Sequence, residues 1–244
     1  MKNTILGLFA LGLLAGPLGA NATLLVDRGL PTDNLNNAAG VSRSNVAWVS
    51  GGYTPTDYWL VGDTFTNTSS DIWSIDAIRV WTVGPTSAVT LWGGTDGSTI
   101  GVISGSGVLS NASYAGSILY QDLGGASIAM YQIDFAVGIT LAPGETFAFF
   151  LDGTGGANVV PFAHASNAAL SGSTQDGAND SMLWGEVVSG SFDHLEVWSS
   201  LNNGWDKASD VNVQVFGTAV PEPGSLALLG MGFAGLGFSR RRRA

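Results

Sequence analysis

The chain has 244 residues, 35 glycines, no cysteine and a formal charge of −10. The lack of cysteine excludes disulfides, thiol catalysis, lipid attachment through a thiol and cysteine metal sites. With the two ends set aside, residues 23–219 hold four cations, Arg28, Arg43, Arg79 and Lys207, against eighteen acids (the nineteen less Glu222), a formal charge of −14 that argues against nucleic acid or an anionic membrane as a partner.

At the start of the chain, Lys2 precedes an apolar stretch from Ile5 to Leu14 interrupted only by glycine, followed by Gly16, Pro17 and Ala20-Asn21-Ala22. That order is the charged region, apolar region and small-residue cleavage site of a secretion signal. The run is too short for a stable transmembrane span, and the small side chains of Ala20 and Ala22 suit signal peptidase. Residues 1–22 are therefore expected to be a signal peptide, with Thr23 opening the exported region. A buried N-terminal helix is disfavoured, because Gly7, Gly12, Gly16 and Gly19 would each cost about 1 kcal/mol relative to alanine.

Residues 23–219 are rich in Gly, Ser, Thr, Asn and aromatics and show no apolar series at helical spacing. They are long enough for one core without staples, and the composition predicts strands and turns. Ile75 to Val83 and Val89 to Trp92 read as two strands joined across Gly84-Pro85. Tyr131, Ile133, Phe135 and Val137 alternate with Gln132 and Asp134, which predicts a half-buried strand. In Ala142-Pro143-Gly144-Glu145 the proline presets the first turn position and the glycine accepts positive φ at the second, and Phe147, Phe149 and Leu151 then alternate again. Val211, Val213 and Val215 alternate with Asn212 and Gln214 as an edge or outer strand. Short strands with glycine-rich turns and no intervening helices predict an all-β, antiparallel two-sheet β-sandwich, jelly-roll-like in topology.

Several groups could carry chemistry. Asp96-Gly97, Asp152-Gly153 and the stretch with Asp176, Asn179 and Asp180 could offer hard oxygens to calcium. Their spacing does not match an EF-hand loop, so ordinary turns are the favoured reading and no metal or cofactor is assigned. His164 and His194 are the two histidines. Asp193-His194-Leu195-Glu196 could supply a general base or a metal ligand, and strand alternation would let only His194 and Glu196 converge. Gly-x-Ser-x-Gly, His-Glu-x-x-His and phosphate-loop motifs are absent from the sequence.

Of the eight tryptophans, Trp73, Trp81 and Trp92 fall in predicted strands and are expected in the core. Trp48, Trp59, Trp184, Trp198 and Trp205 sit among small polar residues. Aromatics near loops can stack on the apolar faces of sugar rings, which makes Trp198 and Trp205 candidate glycan contacts.

The chain closes with Val220-Pro221-Glu222-Pro223, a glycine-broken apolar segment from Leu226 to Phe238, and Arg240-Arg241-Arg242-Arg243. The apolar run is shorter than the roughly 20 residues a relaxed span needs, so it is expected to insert in the inner membrane under strain or transiently, with the arginines held on the cytoplasmic side and a permanent anchor as the competing reading. The two prolines keep Glu222 extended and accessible. Pro-Glu-Pro, a short glycine-rich helix and an arginine cluster in that order resemble the PEP-CTERM sorting signal of Gram-negative bacteria. The resemblance covers residues 220–244 alone and implies processing by a membrane-embedded exosortase, release to the cell surface or beyond, and association with exopolysaccharide. Three functions stay open for the exported region: a non-enzymatic surface or matrix protein, a carbohydrate-binding module, and a secreted hydrolase centred on His194 and Glu196.

Overall fold

The computed structural model describes residues 22–31, 46–48, 51–52, 57–83, 88–96, 98–106, 108–111, 120–121, 127–128, 130–154, 162–166, 182–197, 210–221 and 224. They are all-β, in two antiparallel sheets. The first runs in the order β1 (Thr23–Asp27), β17 (Val213–Val220), β5 (Ile72–Val83), β11 (Met130–Leu141) and β8 (Val108–Asn111). At the Val83 end of β5 it is extended by β13 (Phe162–Ser166), which also pairs β2 (Val46–Trp48) and β16 (Asp210–Val211). The second runs β15 (Ser191–Val197), β14 (Leu183–Val188), β4 (Tyr58–Thr66), β12 (Thr146–Thr154), β6 (Ala88–Gly94) and β7 (Gly101–Ser106), with β3 (Gly51–Gly52) on β4. A two-stranded ribbon joins β9 (Tyr120–Gln121) to β10 (Ser127–Ile128).

Period-two alternation points one face of each sheet at the other. Ile75, Ile78, Val80, Ile133, Phe135, Val213 and Val215 of the first sheet share one buried cluster with Val61, Phe65, Val89, Leu91, Phe147, Phe149 and Leu151 of the second. The alternation read over 131–137 and 147–151 therefore names real inward faces. On the polar side of β11, Asp134 stands opposite Arg79 and accepts from its Nε at 2.6 Å. The far face of the second sheet carries a separate cluster that includes Leu60, Trp92, Phe150 and Val187. Trp73, Trp81 and Trp92 are all buried.

Turn chemistry follows the sequence at Ala142–Glu145. Glu145 N donates to Ala142 O at 3.0 Å, and Gly144 takes φ 77°. The turn passes from β11 in one sheet to β12 in the other, just as the Gly84-Pro85 segment connects strands of opposite sheets.

Two expectations are corrected. The valine alternation at 213–215 is neither edge nor outer: β17 lies between β1 and β5, because Thr23–Asp27 adds itself alongside and takes the edge. Asn212 and Gln214 are consequently buried, with Asn212 Nδ2 donating to the carbonyls of Arg28 and Gly29 at 3.0 and 2.7 Å. Asp152-Gly153 is not a turn but lies inside β12, opposite Thr90 and Val89. The Tyr58 hydroxyl donates to Asp152, and burial, then the Asp152 charge and that hydrogen bond, push Tyr58 up to about 12. Asp96 does form an ordinary turn, its Oδ1 accepting from Ser98 N and Thr99 N at 2.8 and 3.0 Å.

Among the described residues no helix is long and apolar enough to cross a membrane. The expected signal peptide, apart from Ala22, and the expected C-terminal helix lie outside the described residues.

Candidate functional site

Three neighbouring strands bring Trp59, Glu186 and His194 into one row. Trp59 of β4 stands opposite Glu186 of β14, and Glu186 stands opposite His194 of β15. One step along, Val61 faces Trp184, and Trp184 faces the backbone of Glu196. Val61 belongs to the inter-sheet core and Trp184 packs against it, so this row continues the inward face of the second sheet.

Local sequence builds the hairpin. Ser189 and Gly190 take φ 53° and 75° between the paired residues Val188 and Ser191, a two-residue turn with both central φ positive. Ser189 N donates to Asp57 Oδ1 at 2.8 Å, which ties the turn to the residue preceding β4. The register then shifts: Val187 pairs Phe192 but Glu186 pairs His194, so Asp193 is an extra residue on β15. A bulge of this kind bends its strand and re-aims a side chain.

That bulge overturns the sequence expectation for Asp193. Alternation assigns it to the face opposite His194, yet Asp193 Oδ2 lies 2.9 Å from His194 Nδ1, and Glu186 Oε2 lies 3.2 Å from the same nitrogen. Carboxylates accept and do not donate, so Nδ1 carries the proton and donates to them. The imidazole stands edge-on to Trp59 with ring centroids 6.1 Å apart, and Trp59 stands edge-on to Trp184 at 5.6 Å. The cluster is open to solvent, with His194 43% and Asp193 58% exposed.

The arrangement places half-buried Trp59 beside the exposed polar groups of His194 and Asp193, a combination of aromatic and directional polar groups that suits sugar rings. It also offers an imidazole held by carboxylates, as general-base chemistry requires. Ligand atoms of Glu186, Asp193 and His194 lie within 4.8 Å of one another. Glu186 was not singled out from sequence. Its signal is the alternation of Leu183, Gly185 and Val187 with Trp184 and Glu186, which becomes informative once the neighbouring strand is known.

His164, the other histidine, is buried on β13, its carbonyl accepting from Asn212 N at 2.7 Å. Trp198, Trp205, Asp176, Asn179 and Asp180 lie outside the described residues, as do the side chain of Glu196, Glu222, Pro223, Arg240 to Arg243 and Ala20. Ala22 is exposed immediately before β1. At the other end Val220, the last residue of β17, pairs Ile72 and is followed by exposed Pro221.

The family model described as the PEP-CTERM protein-sorting motif matches residues 219–243. The chain carries a PEP-CTERM sorting motif. It implies an exosortase as processing partner and export to the surface or the extracellular space. The PEP-CTERM motif begins inside β17, so no free linker separates it from the sheet: Ala219 is still paired with Trp73. Comparison with curated proteins and with solved structures returned no match.

Proposed function

We propose that this exported protein is a non-enzymatic surface protein that associates with extracellular polysaccharide through the Trp59–Trp184 face. Signal peptidase acts after Ala22, the C-terminal segment holds the chain transiently at the inner membrane, and the exosortase releases it. The sandwich is read as jelly-roll-like because successive strands cross between sheets, as β4 to β5, β5 to β6 and β11 to β12 do.

The observation that carries the polysaccharide reading is the pair of half-buried tryptophans beside Glu186, Asp193 and His194, an aromatic and polar set at the open end of a sheet. The strong negative charge favours a neutral or cation-bridged glycan over a polyanion. The test is co-sedimentation of the purified full chain with polysaccharide from an exosortase-bearing host, read beside tryptophan emission. Wild type is expected to bind and Trp59→Ala to bind less with folding intact, while Trp184→Ala, which also removes core packing, is read beside its thermal melt. Equal sedimentation of all three proteins overturns this reading.

A secreted hydrolase is the second reading, favoured by His194 lying within reach of two carboxylates. Release of reducing ends from the same polysaccharide, abolished by His194→Ala, would select it over the binding reading.

A further inference from the structure

We propose that Glu186, Asp193 and His194 form a binding site for a late first-row divalent cation of the Zn2+ type. This goes beyond the polysaccharide reading and does not rest on it. His194 Nδ1 lies 3.2 Å from Glu186 Oε2 and 2.9 Å from Asp193 Oδ2. Metal–ligand bonds of about 2.0–2.2 Å at roughly tetrahedral or right angles put neighbouring donor atoms about 2.8–3.6 Å apart. A cation can therefore replace the Nδ1 proton, which passes to solvent, while the ligands stay close to where they are. All three donor atoms fall within 4.8 Å of one another, and rotation of the broad, exposed Asp193 carboxylate torsion closes the remaining gap.

The backbone is arranged for convergence. Without the extra residue at Asp193, strand alternation would send that carboxylate to the opposite face. The two-residue turn and the Ser189–Asp57 hydrogen bond hold the hairpin to the start of β4. One imidazole and two carboxylates form a neutral complex with a dication and make up a three-ligand set that leaves coordination positions open. A nitrogen donor and only three protein ligands fit Zn2+, Ni2+ or Cu2+, whereas Ca2+ asks for six to eight oxygens. The competing arrangement is a plain surface ion pair of protonated His194, worth about 0–1 kcal/mol.

The test uses the full chain stripped of metal by a chelator, with zinc supplied in competition with a metal-sensitive dye and Co2+ absorption as a second probe. One equivalent of zinc is expected to bind. His194→Ala should abolish this binding, and Glu186→Gln and Asp193→Asn should each weaken it by at least the about 10–100-fold that an outer-sphere partner costs. Trp59→Ala should keep it, which separates this site from the sugar reading. Millimolar Ca2+ or Mg2+ should not compete. Thermal melts of the metal-free variants check folding, and the exposed His194 and Asp193 and the half-buried Glu186 are expected to tolerate the changes. No zinc uptake by folded wild type, equal affinity in His194→Ala, or equal displacement by Ca2+ each overturns the site.

Discussion

Arg28 reaches across the sandwich to Asp63, its Nη1 donating to Oδ2 at 2.8 Å with both side chains wholly shielded from solvent. The contact ties β4 of the second sheet to the segment that follows β1 in the first. Arg28 also donates to the carbonyls of Val211 and Thr64 at 3.2 and 2.6 Å, while Asp63 accepts from Val211 N and Thr64 N at 2.6 Å each. At pH 8, above the Asp63 value, the carboxyl is ionised, and removing one partner strands a buried charge, which costs about 3–5 kcal/mol. Arg28→Met and Asp63→Leu should each lower stability by that order in denaturant unfolding. The double variant should not recover fully, because Asp63→Leu also leaves two backbone donors without their acceptor. Full recovery would reduce the pair to a simple charge balance.

Asp63 also sets a pH dependence of unusual sign. Burial pushes its carboxyl up to about 7; the nearby Asp210 charge adds to this, and Arg28 and the two backbone N–H groups oppose it. Asp63 in the folded protein thus keeps a proton that the unfolded chain releases near pH 4. Where the folded state binds more protons, stability falls as pH rises. The contribution is fully present below the unfolded value and is lost between about pH 4 and about pH 7. Melting temperature is expected to be higher at pH 5.5 than at pH 8, and Asp63→Asn should flatten that difference. A melting temperature that rises with pH across this window in wild type would contradict the assignment.

The legible part of this fold is the part where period-two alternation faces a core. Ile133, Phe135, Phe147, Phe149 and Leu151 point inward because the pattern at those positions is unambiguous, and the turn at Pro143-Gly144 follows from backbone preferences of two residues. Neighbour relations are not in the pattern. The valines of 213–215 look the same on an edge strand or an inner one, and β1 decides the matter from nearly two hundred residues away. Asp152-Gly153 has turn composition but is held in β12 by pairing with β6. At the site, His194 was visible, but Glu186 depends on which strand pairs β15, and Asp193 on a bulge that alternation forbids. The buried Arg28–Asp63 contact joins residues 35 apart whose sequence surroundings do not mark them as partners.

Two glycines in strands should respond oppositely to alanine. A Cβ at Gly62 would press on the Phe149 carbonyl oxygen and stand 2.5 Å from Phe150 Cδ1, and the backbone oxygen cannot step aside within a sheet paired on both flanks. Gly62→Ala is expected to cost about 1–3 kcal/mol or more, as overpacked cores do. A Cβ at Gly101, on the outer strand β7, meets nothing within 4 Å. Gly101→Ala should be neutral or stabilise by about 0.4–1 kcal/mol through the unfolded chain. Denaturant midpoints of the two variants decide the matter, and equal midpoints would contradict the packing described for β4.

The PEP-CTERM tail is expected to act as a processing signal rather than a lasting anchor. Its apolar segment contains Gly230, Gly232, Gly235 and Gly237, each weakening a helix by about 1 kcal/mol relative to alanine and adding little apolar surface for lipid. Small residues do allow close packing against a membrane protease. Among the described residues the sheet pairing ends at Val220 opposite Ile72, so replacing Pro221-Glu222-Pro223 with alanines leaves every described strand residue in place, and the melting temperature of the sandwich should not change. Export and removal of the N-terminal signal should also continue. What should change is the fate of the tail: the variant is expected to accumulate as a membrane-retained form still carrying Arg240 to Arg243, while wild type loses them in a host with an exosortase. Intact mass and membrane fractionation of the two proteins make the comparison, with an exosortase-deficient host as the matched control. If wild type keeps the four arginines at steady state and fractionates with the variant, the segment is an anchor. In that case the short, glycine-rich segment must gain its hold from protein contacts in the membrane, because its own apolar length falls below the roughly 20 residues of a relaxed span.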